Sequence, residues 1–216
     1  MQFRRPDPVH TLPDDYQQVY HLAVTDNDKL AALNLVAIIL VPVFIALMIA
    51  WMMVAEAVRG SFSTSWQVPD VLLVIAALGV LPLHEWIHGV AIRWAGHRPR
   101  FGMKGVKVGL LTIPYVLFAT ADDAYFQRDP FILIALAPVV VITLAGMALM
   151  LILPDYTLGY IALAVTINGS GAAGDLWMSV VALRYPTAHT LVQDEADRIT
   201  IFVQQDHIVN KCTFDH

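Results

Sequence analysis

The chain has 216 residues, of which 57% are hydrophobic and only 14% are charged, and its formal net charge is −5. An average soluble chain is about 45–50% apolar and about 25% charged, so the excess of apolar surface predicts burial in lipid. The single cysteine, Cys212, excludes a disulfide scaffold, and the acidic balance argues against a nucleic-acid-binding protein.

Four apolar runs dominate the chain after a polar N-terminal segment. Residues 1–29 contain charges and prolines, which favours a cytoplasmic segment over a cleavable signal peptide. Each run exceeds the about 20 residues that cross a bilayer as a helix. The runs are Leu30–Ala55, Val71–Ile92, Pro130–Pro154 and Tyr156–Leu183. We therefore predict an all-α membrane protein whose intramembrane domain, residues 30–183, has four transmembrane helices.

The segment between the second and third runs has a different pattern. Its apolar stretch Val108–Thr120 is too short to span a bilayer as a helix. Glycines at 102, 105 and 109 and the strand-like residues near Phe101 predict a short β-hairpin or a re-entrant segment on the cytoplasmic side, with an interfacial helix or a plain loop as the alternative. The polar tail, residues 184–216, contains one predicted strand, Arg198–Val203.

The basic residues predict the orientation. Of the 13 lysines and arginines, all except Arg59 lie in segments that four spans would place on the same side. Cytoplasmic loops of membrane proteins are enriched in these residues. We expect a multi-pass protein of the cell membrane with both termini in the cytoplasm.

The second apolar run contains a His-Glu-x-x-His pattern at residues 84–88. Residues four apart share one face of a helix, so His84 and His88 can direct imidazole nitrogens at one zinc ion. Glu85 lies beside them, where a carboxylate can accept a proton from metal-bound water. Ionisable residues inside a membrane span are costly and mark functional sites. A polar patch that joins helices by hydrogen bonds is the simpler alternative.

Asp175 is the candidate for the third metal ligand. A catalytic zinc site with two histidines needs another protein ligand, and Asp175 is the other ionisable residue deep within a predicted span. His84 precedes Arg93 by nine residues, as Asp175 precedes Arg184. At 1.5 Å per residue, both lie about 13 Å from the cytoplasmic ends of their spans. This shared depth predicts one metal site.

A cluster of glycines precedes Asp175, at positions 169, 171 and 174. Glycine destabilises a helix interior, so the cluster predicts local unwinding or close packing against another helix. Asn168 would share a helix face with Asp175 if the helix persisted, and its amide is then a candidate catalytic group that binds the substrate carbonyl or the oxyanion. A hydrogen bond between helices is the alternative. Pro82 can kink the second run just before His84.

These residues resemble the membrane-embedded zinc metalloproteases of the site-2 protease type. They are more closely similar to a small prokaryotic family of zincin-type peptidases of unknown function. The resemblance covers about Leu30 to Leu183. It rests on three segments: His84–Gly89, Ala135–Pro138 and Asn168–Asp175. A weaker likeness lies at Val192–Asp194.

The resemblance implies a zinc-dependent endopeptidase that cuts a membrane-protein or peptide substrate within or near the bilayer. It implies that His84, His88 and Asp175 bind Zn²⁺ and that Glu85 activates water. Site-2 proteases usually present the aspartate as Leu-Asp-Gly after a proline-containing asparagine motif. Here Gly174 precedes the aspartate and Leu176 follows it.

Three other functions are consistent with parts of the sequence. Ser170 lies in a Gly-Ser-Gly segment, which is compatible with a serine intramembrane protease. The same metal ligands would also suit a membrane metal transporter or sensor, although transporters usually distribute such groups along a path or between paired repeats. A non-catalytic homologue that only binds membrane proteins is the third alternative.

Overall fold

The computed structural model describes residues 8–23, 27–60, 70–108, 111–195 and 198–207. This part of the chain contains five α-helices and six β-strands. The helices are α1 (Asn27–Arg59), α2 (Asp70–Trp94), α3 (Arg128–Ile152), α4 (Leu158–Gly171) and α5 (Ala173–Ala182). The strands are β1 (Tyr16–Ala23), β2 (Arg100–Val108), β3 (Leu111–Thr120), β4 (Tyr125–Gln127), β5 (Thr190–Glu195) and β6 (Arg198–Gln204).

The prediction of an all-α protein with four transmembrane helices is wrong. The strands form two sheets, and the fourth apolar run is divided between α4 and α5. Within the described residues, two helices are long and apolar enough to cross a membrane: Asp28–Arg59 and Arg128–Ile152. The four apolar runs are helical, and the strands that contradict the prediction lie in the segments outside them, where pairing between distant residues leaves no signal in run length.

The larger sheet joins both ends of the described chain. Its order is β1-β6-β5-β4, and every neighbouring pair is antiparallel. Tyr16 pairs with Gln204, and Tyr125 pairs with Gln193. The predicted strand at Arg198–Val203 corresponds to β6, whereas β1, β4 and β5 were not predicted. Their partners lie far away in sequence, so the local pattern gives little signal for them.

The hairpin predicted between the second and third runs is present as β2 and β3. Arg100 pairs with Thr120 at its open end, and the register shifts between Lys104 and Gly105. A Cβ at Gly102 would lie 2.3 Å from the Phe118 ring, so this position needs glycine for the ring to cross the strand.

The chain forms two compact units. One contains residues 1–30, 85–136 and 175–216, and the other contains residues 31–84 and 137–174. The sheet-containing unit has a buried core that includes Phe126, Val192, Ile201 and Val203. Methionines and small side chains fill the core of the helical unit, including Met48, Ala55, Met150 and Val165.

In the helical unit, α1 and α3 end at the same level. Trp51 Nε1 donates to the carbonyl oxygen of Met147 at 2.9 Å, and Arg59 donates to that of Met150 at 3.1 Å. Arg59 also forms an ion pair with Asp155, just after α3. These contacts join the C-terminal parts of two apolar helices.

The apolar surface of α1 is mostly exposed. Only 17% of its most apolar 18-residue window is buried, and the corresponding value for α3 is 33%. A core helix of a soluble protein buries most of such a surface. The exposed side chains of α1 include Leu35, Ile38, Ile39, Val43, Ile49 and Met53.

The glycine cluster before Asp175 coincides with a helix break. Helix α4 ends at Gly171, Ala172 leaves helical geometry with ψ at 12°, and α5 begins at Ala173. Close packing occurs in the same segment, because a Cβ at Gly169 would lie 2.3 Å from the Phe44 ring. The local unwinding and the close packing that the glycines predicted both occur here.

Gly146 offers a test of the packing between α3 and α4. A Cβ there would lie 2.5 Å from Cγ2 of buried Val165, a β-branched side chain with little rotamer freedom in a helix. We expect Gly146→Ala to lower the free energy of unfolding by about 1–3 kcal/mol. Chemical unfolding of the purified protein in detergent micelles measures the effect.

Gly79→Ala is the matched control. Gly79 also lies inside a helix, but a Cβ there would meet nothing within 4 Å. Replacing a helix glycine by alanine at such a position stabilises by roughly 0.5–1 kcal/mol. Equal effects of the two substitutions would contradict the packing described for Gly146.

Candidate metal centre

Helix α2 presents three ionisable residues within two turns. His84 and His88 are one turn apart on this helix, and Glu85 follows His84 directly. Pro82 lies inside the same helix, where it removes one backbone hydrogen bond. The prediction that these residues lie on a helix is confirmed, and both imidazoles lie on one side of α2.

Asp175 joins the two histidines in a compact cluster. Its Oδ2 lies 3.5 Å from Nε2 of His88. One possible ligand atom from each of His84, His88 and Asp175 lies within 4.8 Å of the other two. The helix break at Ala172 puts Asp175 in the first turn of α5. The structure therefore brings together the three residues predicted to hold a metal.

The donor set fits a zinc ion. Imidazole nitrogens and a carboxylate oxygen are common zinc ligands, and two donors at about 2.0–2.2 Å from a tetrahedral ion lie about 3.4 Å apart. The 3.5 Å between His88 Nε2 and Asp175 Oδ2 matches this spacing. His88 is only 8% exposed, so the cluster is shielded from bulk water on that side.

Hydrogen bonds fix the tautomers of both histidines. His88 Nδ1 lies 2.9 Å from the carbonyl oxygen of Ile134, which can only accept, so the ring nitrogen donates. His84 Nδ1 lies 2.9 Å from Oδ1 of Asn168 and donates in the same way. A neutral imidazole with its proton on Nδ1 binds a metal through Nε2.

Asn168 lies beside a predicted ligand. It is 1% exposed, and its Nδ2 donates to the carbonyl oxygen of Pro138 at 3.5 Å while its Oδ1 accepts from His84. Because α4 ends at Gly171, Asn168 and Asp175 do not share one continuous helix. The structure assigns Asn168 a contact with His84, and its role toward a substrate oxyanion stays a prediction.

Asp194 is an acidic residue that the predicted site did not include. It lies on β5, and its carbonyl oxygen accepts a hydrogen bond from Thr120 Oγ1. The pKa of its carboxyl group is raised to about 7 as the net effect of burial, which raises it, the charge of His88, which lowers it, and the charges of Asp175 and Glu85, which raise it. These interactions place Asp194 in the electrostatic environment of the cluster. The only sequence signal for it was the family likeness at 192–194.

The alternative based on Ser170 gains no support from its contacts. Its hydroxyl donates to the carbonyl oxygen of Ile167 in its own helix at 3.2 Å. A serine nucleophile needs a general base within hydrogen-bonding reach. The two histidines of the cluster instead direct their Nδ1 atoms at Ile134 and Asn168.

Comparison with known families agrees with this geometry. Residues 77–190, more than half of the chain, match the model of the family described as "Putative zincin peptidase". This segment contains both histidines, Glu85 and Asp175, and the family indicates a metallopeptidase with zinc as its metal. No curated protein and no solved structure matches the chain. The predicted resemblance to a zincin-type peptidase family is confirmed over residues 77–190, and the chain belongs to this family.

Proposed function

We propose that this protein is a zinc-dependent endopeptidase that hydrolyses peptide bonds of a membrane-protein or peptide substrate in or next to a membrane. One observation carries the proposal: His84, His88 and Asp175 present ligand atoms within 4.8 Å of one another, and Glu85 adjoins His84 on the same helix. The family match supports the same chemistry.

The four residues would have two roles in the reaction: metal binding and proton transfer. His84, His88 and Asp175 would hold zinc, which supplies a Lewis acid and a water activated near neutral pH. Glu85 accepts a proton from the attacking water as the new C–O bond forms. It then delivers that proton to the amine nitrogen as the C–N bond breaks, so one carboxyl group serves as base and then as acid.

The exposed apolar helices support a membrane location. Helices α1 and α3 have the length to cross a bilayer, and most of their apolar surface is not buried by protein. Exposure of such an apolar surface to water costs free energy, and its contact with lipid does not. Arg59 and Asp155 pair at one end of these helices, while Lys29 and Arg128 lie at their starts.

The orientation follows from the same charges. We place the starts of α1 and α3 on the cytoplasmic side, because Lys29 and Arg128 lie there and the cytoplasmic ends of membrane spans are enriched in lysine and arginine. The N-terminal segment would then be cytoplasmic, and so would the C-terminal segment, because β1 and β6 pair with each other. The larger sheet, which pairs β1 with β6, would lie on that side as well.

The role of Glu85 can be tested by Glu85→Gln. The variant retains the metal ligands but loses the group that accepts a proton, so we expect zinc to stay bound and cleavage to fall by at least about 10²-fold. Cleavage of a panel of single-span peptides in proteoliposomes provides the measurement. Glu56→Gln in α1 serves as the control and should retain activity, whereas full activity of Glu85→Gln would refute the mechanism.

The metal site can be tested by Asp175→Ala. Removal of one of three protein ligands should reduce bound zinc from near one equivalent to a small fraction, as measured by elemental analysis of the purified protein. Asp122→Ala changes an aspartate that is exposed and paired with Arg100, and it should retain the metal. Equal zinc content in both variants would show that Asp175 is not a ligand.

The lipid contact of α1 can be tested by Ile38→Asp. The side chain of Ile38 is 67% exposed. A charge at this position should cost about 2.5–3.5 kcal/mol if the helix crosses a bilayer, but at most about 0.5 kcal/mol if it faces water. Membrane insertion and unfolding in micelles report the difference. Met103→Asp, at a similarly exposed apolar residue in β2, is the control, and equally small effects would contradict the membrane location.

A further inference from the structure

We propose that Pro138 in α3 is the positioning residue that sets the tautomers of both metal-binding histidines. Because Pro138 has no N–H, it affects the hydrogen bond of His88. Its carbonyl oxygen affects His84 by orienting the amide of Asn168. This inference rests on the metal-binding part of the proposed function.

The first branch begins with a proline inside a helix. In an α-helix, the N–H of residue 138 would donate to the carbonyl oxygen of residue 134. Proline has no N–H, and its ring displaces that carbonyl group from the helix axis. Ile134 is therefore left with a carbonyl oxygen that lacks its usual helical donor. His88 Nδ1 provides the replacement donor at 2.9 Å.

This arrangement satisfies two buried polar groups at once. An unpaired carbonyl oxygen in an apolar region is costly, and so is an imidazole N–H without an acceptor. His88 is 8% exposed and Ile134 is 5% exposed, so water has little access to either group. The proline thus creates the acceptor that holds the proton of His88 on Nδ1.

The second branch uses the carbonyl oxygen of the same proline. That oxygen accepts a hydrogen bond from Asn168 Nδ2 at 3.5 Å, which orients the amide so that Oδ1 faces His84. His84 Nδ1 then donates to Oδ1 at 2.9 Å. If the amide were reversed, its NH₂ group would face the His84 nitrogen and favour the other tautomer.

Both branches have the same consequence for the metal. Each histidine holds its proton on Nδ1 and presents Nε2, the atom that in His88 lies 3.5 Å from the Asp175 carboxylate. Groups that orient metal-binding histidines in this way typically contribute 10–100-fold to metal affinity. Pro138 is less than 2% exposed, which agrees with a role inside the protein rather than at its surface.

The test is Pro138→Ala, examined in metal-free protein labelled with ¹⁵N-histidine. Alanine restores the N–H that competes with His88 for the Ile134 carbonyl oxygen. We expect the fraction of His88 with its proton on Nδ1 to fall, as read from two-bond ¹⁵N–¹H correlation spectra in micelles. The dissociation constant for zinc should rise about tenfold. The spectra of His84→Gln and His88→Gln assign the signals.

Two further variants separate this role from a general effect on the helix. Pro42→Ala changes the proline inside α1 and should alter neither the tautomers nor the zinc affinity. Asn168→Ala should shift the tautomer of His84 and leave that of His88 unchanged. The His84 tautomer should stay unchanged in Pro138→Ala, because alanine keeps the carbonyl oxygen that binds Asn168. The proposal is overturned if Pro138→Ala retains the wild-type tautomer of His88 and the wild-type zinc affinity. If that variant does not fold, an unchanged His84 tautomer in Asn168→Ala overturns it instead.

The tautomer measurement needs neither zinc nor a substrate. A negative result would therefore reject the role of Pro138 without touching the proposed peptidase activity. Conversely, absence of proteolysis in the wild-type protein would reject that activity and leave the tautomer result standing.

Discussion

The candidate site depends on one constraint: a neutral imidazole can bind a metal only through the nitrogen that has no proton. In an apolar interior, the other nitrogen then needs an acceptor, because an unpaired N–H there is costly. Ile134 and Asn168 supply the two acceptors, one from the backbone of α3 and one from a side chain of α4. The helices around α2 are therefore as necessary for the chemistry as the histidines themselves.

Irregular helix geometry supplies most of these polar groups. Inside a regular α-helix, each carbonyl oxygen already accepts a hydrogen bond from the N–H four residues further along the chain. Pro138 leaves the carbonyl oxygen of Ile134 without its helical donor, and the break at Ala172 starts a new helix whose first turn contains Asp175. An acidic side chain in a first helical turn is also stabilised by the helix dipole. Two local departures from helical regularity thus provide a histidine partner and a candidate ligand.

The sequence predicted the chemistry of the site better than the fold. The positions of His84 and His88 follow from their spacing on a helix. The approach of Asp175 was predicted from its nine-residue distance to Arg184, which equals that from His84 to Arg93. Strands β1, β4 and β5 were missed because antiparallel pairing such as that of Tyr16 with Gln204 has no local signature. The contact between Asn168 and His84 was also missed, because the orientation of an amide depends on neighbours that only the folded chain provides.

The pairing of β1 with β6 has a consequence for biosynthesis. The larger sheet cannot be completed until the ribosome has passed Gln204, although its first strand begins at Tyr16. Asp175 and Asp194 are also made late, long after the two histidines. Proteins are synthesised from the N-terminus at about 5–20 residues per second, so α1 and α2 emerge seconds before their acidic partners. During that interval the nascent chain lacks the carboxylate that completes the candidate metal site.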